Sequence, residues 1–572
     1  MKTKYLYLLF ILSFVVGCTD LEPVLDAAID ENAVWKDRDF AIGVLNDAYN
    51  QLPAYYTDEL GTFLDCATDN AVTNNFSSGI ITMATGGWTA QNNPINSWTL
   101  CYNQIRNLNQ FIEKSTEISF SNDTTKNKLI HKRIKGEAYF LRAWYQFELL
   151  SRFSGLDENG NLLGFPIVKD ALSDVELKTV GRNTFDACVA VIKDDIDTAL
   201  VYLPDAQYNG SDVVLGATQT GRVYRLPALA LKSRLLLYAA SPAYTTTKSP
   251  AEKQTLWADA AVAAMAAIQA KGALPAVSAS GDMYSNPNHA EIIWRSYQPD
   301  SNAPEKDDFM PSLWGNGRTN PSQQLVDAFP MKDGYPISES VTYNATNPYA
   351  NRDNRFGLSI IHNGATFGSE KADIFAGGKD AESNGQTRTT RTGYYLRKFI
   401  VPGVIITPGL TATTTKHYYA FFRSAELWLN YAEAANEAWG PDADPQSLGK
   451  TAKTILAELR KRAGIATADP YLNQQAAAGK DVFRALVQNE RRIELCFENH
   501  RFFDVRRWLL PLSELNKDVS GVMITKDDNN VFNYQPVAKV EIRKFQDYMY
   551  YGPIPEQAIY ASEGNIVQNA GW

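Results

Sequence analysis

The chain has 572 residues, enough for a large buried core, and its 45% hydrophobic and 21% charged composition belongs to a folded globular protein and not to a disordered one. A formal net charge of -9, with no Lys/Arg-rich tract, excludes the cationic surface that nucleic acids need. Aromatic residues reach 12%, more than a core usually takes, which leaves rings for surfaces.

The first seventeen residues carry Lys2 and Lys4 and then an apolar run from Tyr5 to Val16. That run is too short to span a bilayer and has the charge-then-apolar order of a secretory signal. It ends in Val15-Val16-Gly17-Cys18, which resembles the bacterial lipobox, so residues 1–17 are predicted to be a lipoprotein signal peptide and Cys18 the lipidated residue. An uncleaved anchor, or an ordinary signal followed by a chance Cys, is the other reading. Residues 18–31, acidic and turn-rich, read as a tether. Cys66, Cys101, Cys188 and Cys496 match no CxxC or zinc spacing, and buried free thiols are expected.

From residue 32 apolar positions recur every three to four residues, and the spacing predicts helices near 38–51, 97–115, 129–153, 184–202, 223–241 and 251–271. Helices return at 424–438, 450–463 and 481–499. Paired Ala and bulky aromatic positions in 129–153 and 424–438 suit tetratricopeptide-type packing, although the repeats are irregular. Residues 275–423 differ: Gly, Pro, Asn, Ser and Thr dominate, with strand-like pieces at Glu291–Arg295 and Tyr394–Ile400. A loop-rich segment of that length inside a folded protein usually carries function. The expected division is therefore 32–274 helical, 275–423 loop-rich, and 424–572 packing back on the helices. The fold class is mostly α.

Catalytic signatures are absent: there is no HExxH, no GxSxG and no phosphate-cradling GxxxxGK. Cys496 and His500 are four apart in a predicted helix, but no further ligands accompany them, so neither a metal nor a cofactor is expected. The sharpest enzymatic candidate is NERRIELCFENHRFFDVRRW, where Glu490, Glu494 and Glu498 share a predicted helical face, a spacing that would suit the two carboxylates of a glycosidase. Arg484, Arg491, Arg492, Arg501, Arg506 and Arg507 surround them, and guanidinium partners lower a carboxyl pKa where a general acid needs it raised. A structural ion-pair network is the expectation.

The motif order resembles the SusD/RagB family of outer-membrane nutrient-binding lipoproteins of Bacteroidetes. The resemblance rests on Cys18 after its signal, Glu137–Ala143 (EAYFLRA), Glu426–Glu433 (ELWLNYAE), Leu459–Gly464 (LRKRAG), Glu490–Leu495 (ERRIEL), Arg501–Trp508 (RFFDVRRW) and Pro553-Ile554-Pro555. It implies a SusD-like fold, a tetratricopeptide-like scaffold with a loop-rich insertion containing short β-hairpins, and no catalysis. It also implies a lipid-anchored place at the outer membrane, facing outward, and a SusC-like TonB-dependent transporter as partner. Glycans are the commonest cargo of such proteins and peptides a minority one; a surface glycosidase or a structural surface protein are the rival functions.

Sugar rings present C–H faces that stack on Trp and Tyr, while their hydroxyls pair with Asn, Asp, Gln and Arg. Three polar stretches combine these residues: 68–79, 85–98 and the loop around Trp314. Trp98 begins a helical period with Tyr102 and Ile105 and is assigned to the core. Trp88 has no such continuation and is a candidate platform, a core plug being the alternative. The candidate ligand residues are Trp88, Trp314, Asp69, Asn74 and Asn75, with Tyr284 and Arg318 from the loop-rich region.

Overall fold

In the computed structural model, residues 34–572 are described except 59, 171–173, 278–282, 284–285, 287, 297–299 and 382–387. Cys18, its signal and tether, and Tyr284 lie outside the described residues. Ten helices carry the frame: α1 (Arg38–Asn50), α2 (Trp98–Lys114), α3 (Thr124–Phe153), α4 (Phe185–Tyr202), α5 (Arg225–Ala240), α6 (Pro250–Lys271), α7 (Ser424–Trp439), α8 (Ala452–Arg462), α9 (Lys480–Glu494) and α10 (His500–Arg507).

Local chemistry explains where several of them begin. Asp37 and Asp123 accept from the first free N–H groups of α1 and α3, and Ser249 with Glu252 forms a reciprocal capping box in front of Pro250 in α6. Glycines close α6 and α7: Gly272 and Gly440 have φ of 88° and 89°, a left-handed conformation that ends a helix without a Cβ penalty.

Packing follows chain order. The pairs α2–α3, α3–α4, α4–α5 and α5–α6 each pack closely; α6 then packs on α7, and α7 on α8 and α9. The roughly 150 residues between α6 and α7 are thus an excursion from a continuous helical row. Helix α7 is buried on every side from Ser424 to Ala438, not only along Leu427, Tyr431, Ala434 and Ala438, because α5, α6, α8 and α9 surround it. A helix without a wet face is read as a core element. The mostly α, tetratricopeptide-like scaffold is what the structure contains.

Two further apolar cores form here. One joins the excursion to the rest of the chain, gathering Phe329, Phe356, Tyr394 and Phe399 with Phe63, Phe497 and Phe502; a smaller one, within the excursion, gathers Phe309, Met310, Ile361, Phe367 and Tyr395. Short antiparallel pairs stitch it together: β1 (Ala71–Thr73) with β3 (Thr319–Pro321), and β2 (Ile292–Arg295) with β4 (Ala420–Arg423). The expected strand at Tyr394–Ile400 is only Tyr395–Leu396, paired with Ile360–Ile361. A longer hairpin, β5 (Val519–Lys526) with β6 (Phe532–Glu541), was not anticipated. The last predicted helix also stops early: α9 ends at Glu494, and Phe497 and Asn499 both take left-handed φ of 63°. Cys496 and His500 therefore do not sit one turn apart on a helix. Cys66, Cys101, Cys188 and Cys496 are buried free thiols, as expected.

Candidate functional site

The Glu490–Glu498 row is a closed ionic lattice. Glu490 accepts from Arg460 at 2.5 Å and from Arg355 at 2.7 Å. Glu494 accepts from Arg423 at 2.8 Å, Arg355 at 3.1 Å, and Arg462. Glu498 accepts from Lys398 at 2.6 Å and from Arg423 at 2.7 Å. Burial pushes each carboxyl up, but the adjacent cations outweigh it and hold all three below the usual carboxylate range, Glu494 furthest. A general acid needs the opposite shift, so the row is framework. The partners differ from the expected ones, because all five of these cations lie in preceding segments. The nearby arginines are engaged elsewhere: Arg484 with Glu437, Arg491 with Asp504, Arg507 with Glu433. Among the described residues no group of His, Cys, Asp or Glu is arranged to hold a metal.

Trp88 is a plug. It is 2% exposed, its indole N–H donates to Asn93 Oδ1 at 3.1 Å, and its ring meets Trp572 at 4.9 Å and Phe502 at 5.9 Å. The Arg506 guanidinium lies 5.2 Å over it. No face is left for a sugar, which corrects the platform reading. Trp98 is likewise core. Asp69 is also committed: Arg501 binds both its oxygens at 2.9 Å and Arg492 reaches it at 3.0 Å. Burial raises its carboxyl, and the two guanidiniums more than reverse that. Asp69 thus ties the 68–79 segment to α9 and α10 instead of projecting to a ligand.

The remaining candidates converge. Pairing of β1 with β3 sets the 74–78 turn beside the loop carrying Trp314. That loop is held by its own backbone: Asn316 N–H donates to Lys306 O at 2.9 Å, Gly317 to Phe309 O at 3.0 Å, and Arg318 to Asp307 O at 2.9 Å. Gly315 is obligatory there, since a Cβ would stand 2.2 Å from the Phe309 carbonyl. Asn74 clamps the loop from the other side, its amide donating to the carbonyls of Asn316 and Gly317 at 2.9 and 3.0 Å. Asn75 donates to Leu60 O at 3.0 Å, and Arg318 pairs with Asp307 at 2.8 Å. These polar residues are braces of the surface more than open contacts.

What they brace is aromatic and exposed. Trp314 is 51% exposed and held at φ 69°, a strained conformation for a bulky residue that the surrounding bonds enforce. Phe76, two residues from Asn74, is 72% exposed, with the Arg391 guanidinium 5.0 Å above its ring. Arg391 is itself fixed by Glu541 at 2.6 Å. Phe76 and Arg391 were missed in the sequence, although Phe76 sits in the same kind of Asn/Ser-rich turn that singled out Trp88.

Comparison with known proteins settles the family. A sequence profile described as the SusD family matches residues 283–572, half of the chain. The chain belongs to the SusD family. A second profile of that kind, described as starch-binding associating with outer membrane, matches residues 39–234. Solved structures agree on the SusD fold. A SusD-like protein from Bacteroides fragilis superposes with a TM-score of 0.73 at 22% identity, covering 95% of this chain and 98% of that one. A SusD-like carbohydrate binding protein from the same organism gives 0.68 at 20%, covering 92% and 99%. Surface glycan-binding protein A from Bacteroides fluxus gives 0.61 at 20%, covering 94% and 100%. No curated protein sequence matches this SusD family member.

Proposed function

We propose that this protein captures oligo- or polysaccharide at the outer membrane through the Trp314 face and delivers it to a SusC-like TonB-dependent transporter. The observation that carries the reading is a half-exposed Trp314 and an exposed Phe76 on two loops that β1–β3 pairing and the Asn74 clamp bring together, each loop held by internal hydrogen bonds. Preorganised rings of this kind stack on sugar C–H faces at little ordering cost. The names of the solved relatives, carbohydrate- and glycan-binding, support the cargo class, and the outer-membrane description of the matching profile supports the location. The lattice around Glu494 speaks against the glycosidase alternative. Cys18 would supply the anchor, since two or more acyl chains hold firmly where one does not.

Purified protein incubated with a glycan panel tests the function: glycan is retained and no new reducing ends are released. Release of products, or failure to retain any glycan, sinks it. Cys18→Ala is expected to move the protein out of the membrane fraction or to leave the signal uncleaved. Normal processing with unchanged membrane association would refute the anchor.

A further inference from the structure

Between the 67–69 turn, Met83-Ala84, α10 and the 543–549 segment lies a small cavity of about 30 Å³. One water takes ~10–15 Å³ of such space, so the cavity has room for about two or three waters or one ion of halide size. Three cations, Arg506, Arg543 and Lys544, line it, and Asp69 is the one acid among its described lining residues.

Arg506 is the cation without a counter-charge. It is 8% exposed, with its guanidinium 3.5 Å from the Phe502 ring centre, 4.9 Å from that of Phe545 and 5.2 Å from that of Trp88. Its Nε donates to Met549 O at 3.0 Å and its Nη1 to Phe502 O at 2.9 Å. Nη2 makes no hydrogen bond among the described residues, and it is not one of the unpartnered atoms sealed from solvent, so a water-sized particle reaches it. The neighbouring arginines of α10 are paired: Arg501 with Asp69, Arg507 with Glu433 and Asp504. Burial lowers all three guanidiniums. Acids more than reverse it for Arg501 and Arg507, whereas Arg506, with only Tyr244 and Tyr550 opposing, is pushed down to about 9.

The nearby acids have no charge to spare. Asp69 is shared by Arg492 at 3.0 Å and Arg501 at 2.9 Å, and Glu541 by Arg391 at 2.6 Å and by Arg543. Lys544 is exposed and has no ion-pair partner among the described residues. A local excess of positive charge thus faces the cavity in a chain whose net charge is -9. Water would solvate Nη2 but leave a buried charge uncompensated, which is costly. Carboxylates and phosphates take a pair of parallel N–H bonds, and Arg506 has its Nε and Nη1 already engaged, so a monatomic anion suits the single free amino group better. The rest of the wall is apolar: Met83, Val505, Leu515, Phe545 and Met549. Such a wall favours an anion that sheds its water at low cost, bromide or chloride before fluoride.

We propose that this cavity binds one halide ion, on Arg506 Nη2 with Lys544 beside it, and that the ion fastens the 543–549 segment to α10. The site is separate from the Trp314 face. Crystals soaked in sodium bromide and measured at the bromine edge should show an anomalous peak within hydrogen-bonding distance of Nη2. In solution, melting curves of the purified protein are compared in fluoride, chloride and bromide at equal ionic strength. Weakly hydrated halides ordinarily stabilise proteins less than fluoride does. Here bromide or chloride replacing fluoride should raise the melting temperature saturably, by about 1 °C or more. Arg506→Gln should abolish that halide-specific rise. Leu515→Trp narrows the cavity from its half-exposed wall, leaves the cation in place and should weaken halide affinity tenfold or more. Should Arg506→Gln not fold, Leu515→Trp and the bromide map decide the same point. The proposal is overturned if no bromide peak lies at Arg506, if the melting temperature follows ionic strength alone, or if a folded variant keeps the parent's halide response. A peak with no saturable effect in solution marks an adventitious ion only and overturns it equally.

Discussion

Around Glu490, Glu494 and Glu498, four guanidiniums and Lys398 bond to three carboxylates. Around Asp307 and Asp308, beneath the Trp314 loop, Arg318 pairs with Asp307, while Asp308 accepts the Thr319 backbone N–H. The lattice acids and Asp308 are buried and Asp307 is half-buried, yet the carboxyls of the two sets shift in opposite directions. The lattice acids are held low. Burial instead pushes Asp307 up, and Asp308 up to about 7. The helical frame has its charge fully compensated and gains a defined geometry from it; the loop face keeps a buried acid, Asp308, bonded to a neutral donor.

The largest effect should come from breaking the compensated side. Glu494→Gln leaves Arg423, Arg462 and Arg355 facing a neutral amide in a buried site, and a destabilisation of about 3–5 kcal/mol is expected in denaturant unfolding. An unchanged midpoint would mean that the lattice is not what holds α9 against β4. Next comes the plug. Trp88→Ala should cost about 3–5 kcal/mol as a core truncation while leaving glycan affinity per folded molecule unaltered. A well-folded Trp88→Ala that loses binding would restore the platform reading.

The same contrast shows why part of the molecule was legible. Helices α1 to α8 follow the expected spans within a few residues, because apolar and small residues recur at helical spacing within each of them and can be read locally, even in α7, which has no wet face. The hairpin β5–β6 could not be read that way: most of β6 is half-exposed or exposed, so no buried face imposes strict alternation. Asp527–Asn530 between two β-rich runs was the available turn signal. Trp88 misleads for a related reason, since Phe502, Arg506 and Trp572 lie more than 400 residues away in the chain. At the Trp314 face the exposed ring was legible from its polar surroundings. The role of Asn74 as a clamp was not, because it depends on which carbonyls β1–β3 pairing brings near.

The pH response should separate the two regions. An acid whose folded pKa is raised contributes stability that is complete below its unfolded value and lost as pH rises through its folded value. For Asp308 that window runs from about 4 to about 7. The lattice acids behave oppositely: their contribution is present above the ordinary Glu range and is lost as pH falls through their lowered values. Asp308→Asn should therefore raise stability at pH 8 by up to ~4 kcal/mol, at ~1.4 kcal/mol per pKa unit, and make little difference at pH 4. Thermal melts at both values check it; equal shifts at pH 4 and pH 8 would remove Asp308 as the cause.

The smallest stability effect, and the most informative, belongs to Trp314. Its ring is half exposed and its loop is held by backbone bonds to Lys306, Phe309 and Asp307 and by Asn74, none of which uses the indole. Ala keeps the Cβ that makes the left-handed conformation costly, so Trp314→Ala leaves that strain in place and its melting temperature should stay close to the parent's. Binding should respond differently. Covering one aromatic face is worth about 1.5–3 kcal/mol, which converts to a loss of roughly 10- to 150-fold in affinity for the cognate glycan. Phe76→Ala should act in the same direction and by less, since its ring already carries Arg391 on one side. Calorimetry on both variants, each with its melting curve, measures the two consequences separately. Trp314→Ala protein that melts like the parent and binds the same glycan as tightly would take the binding site away from this face.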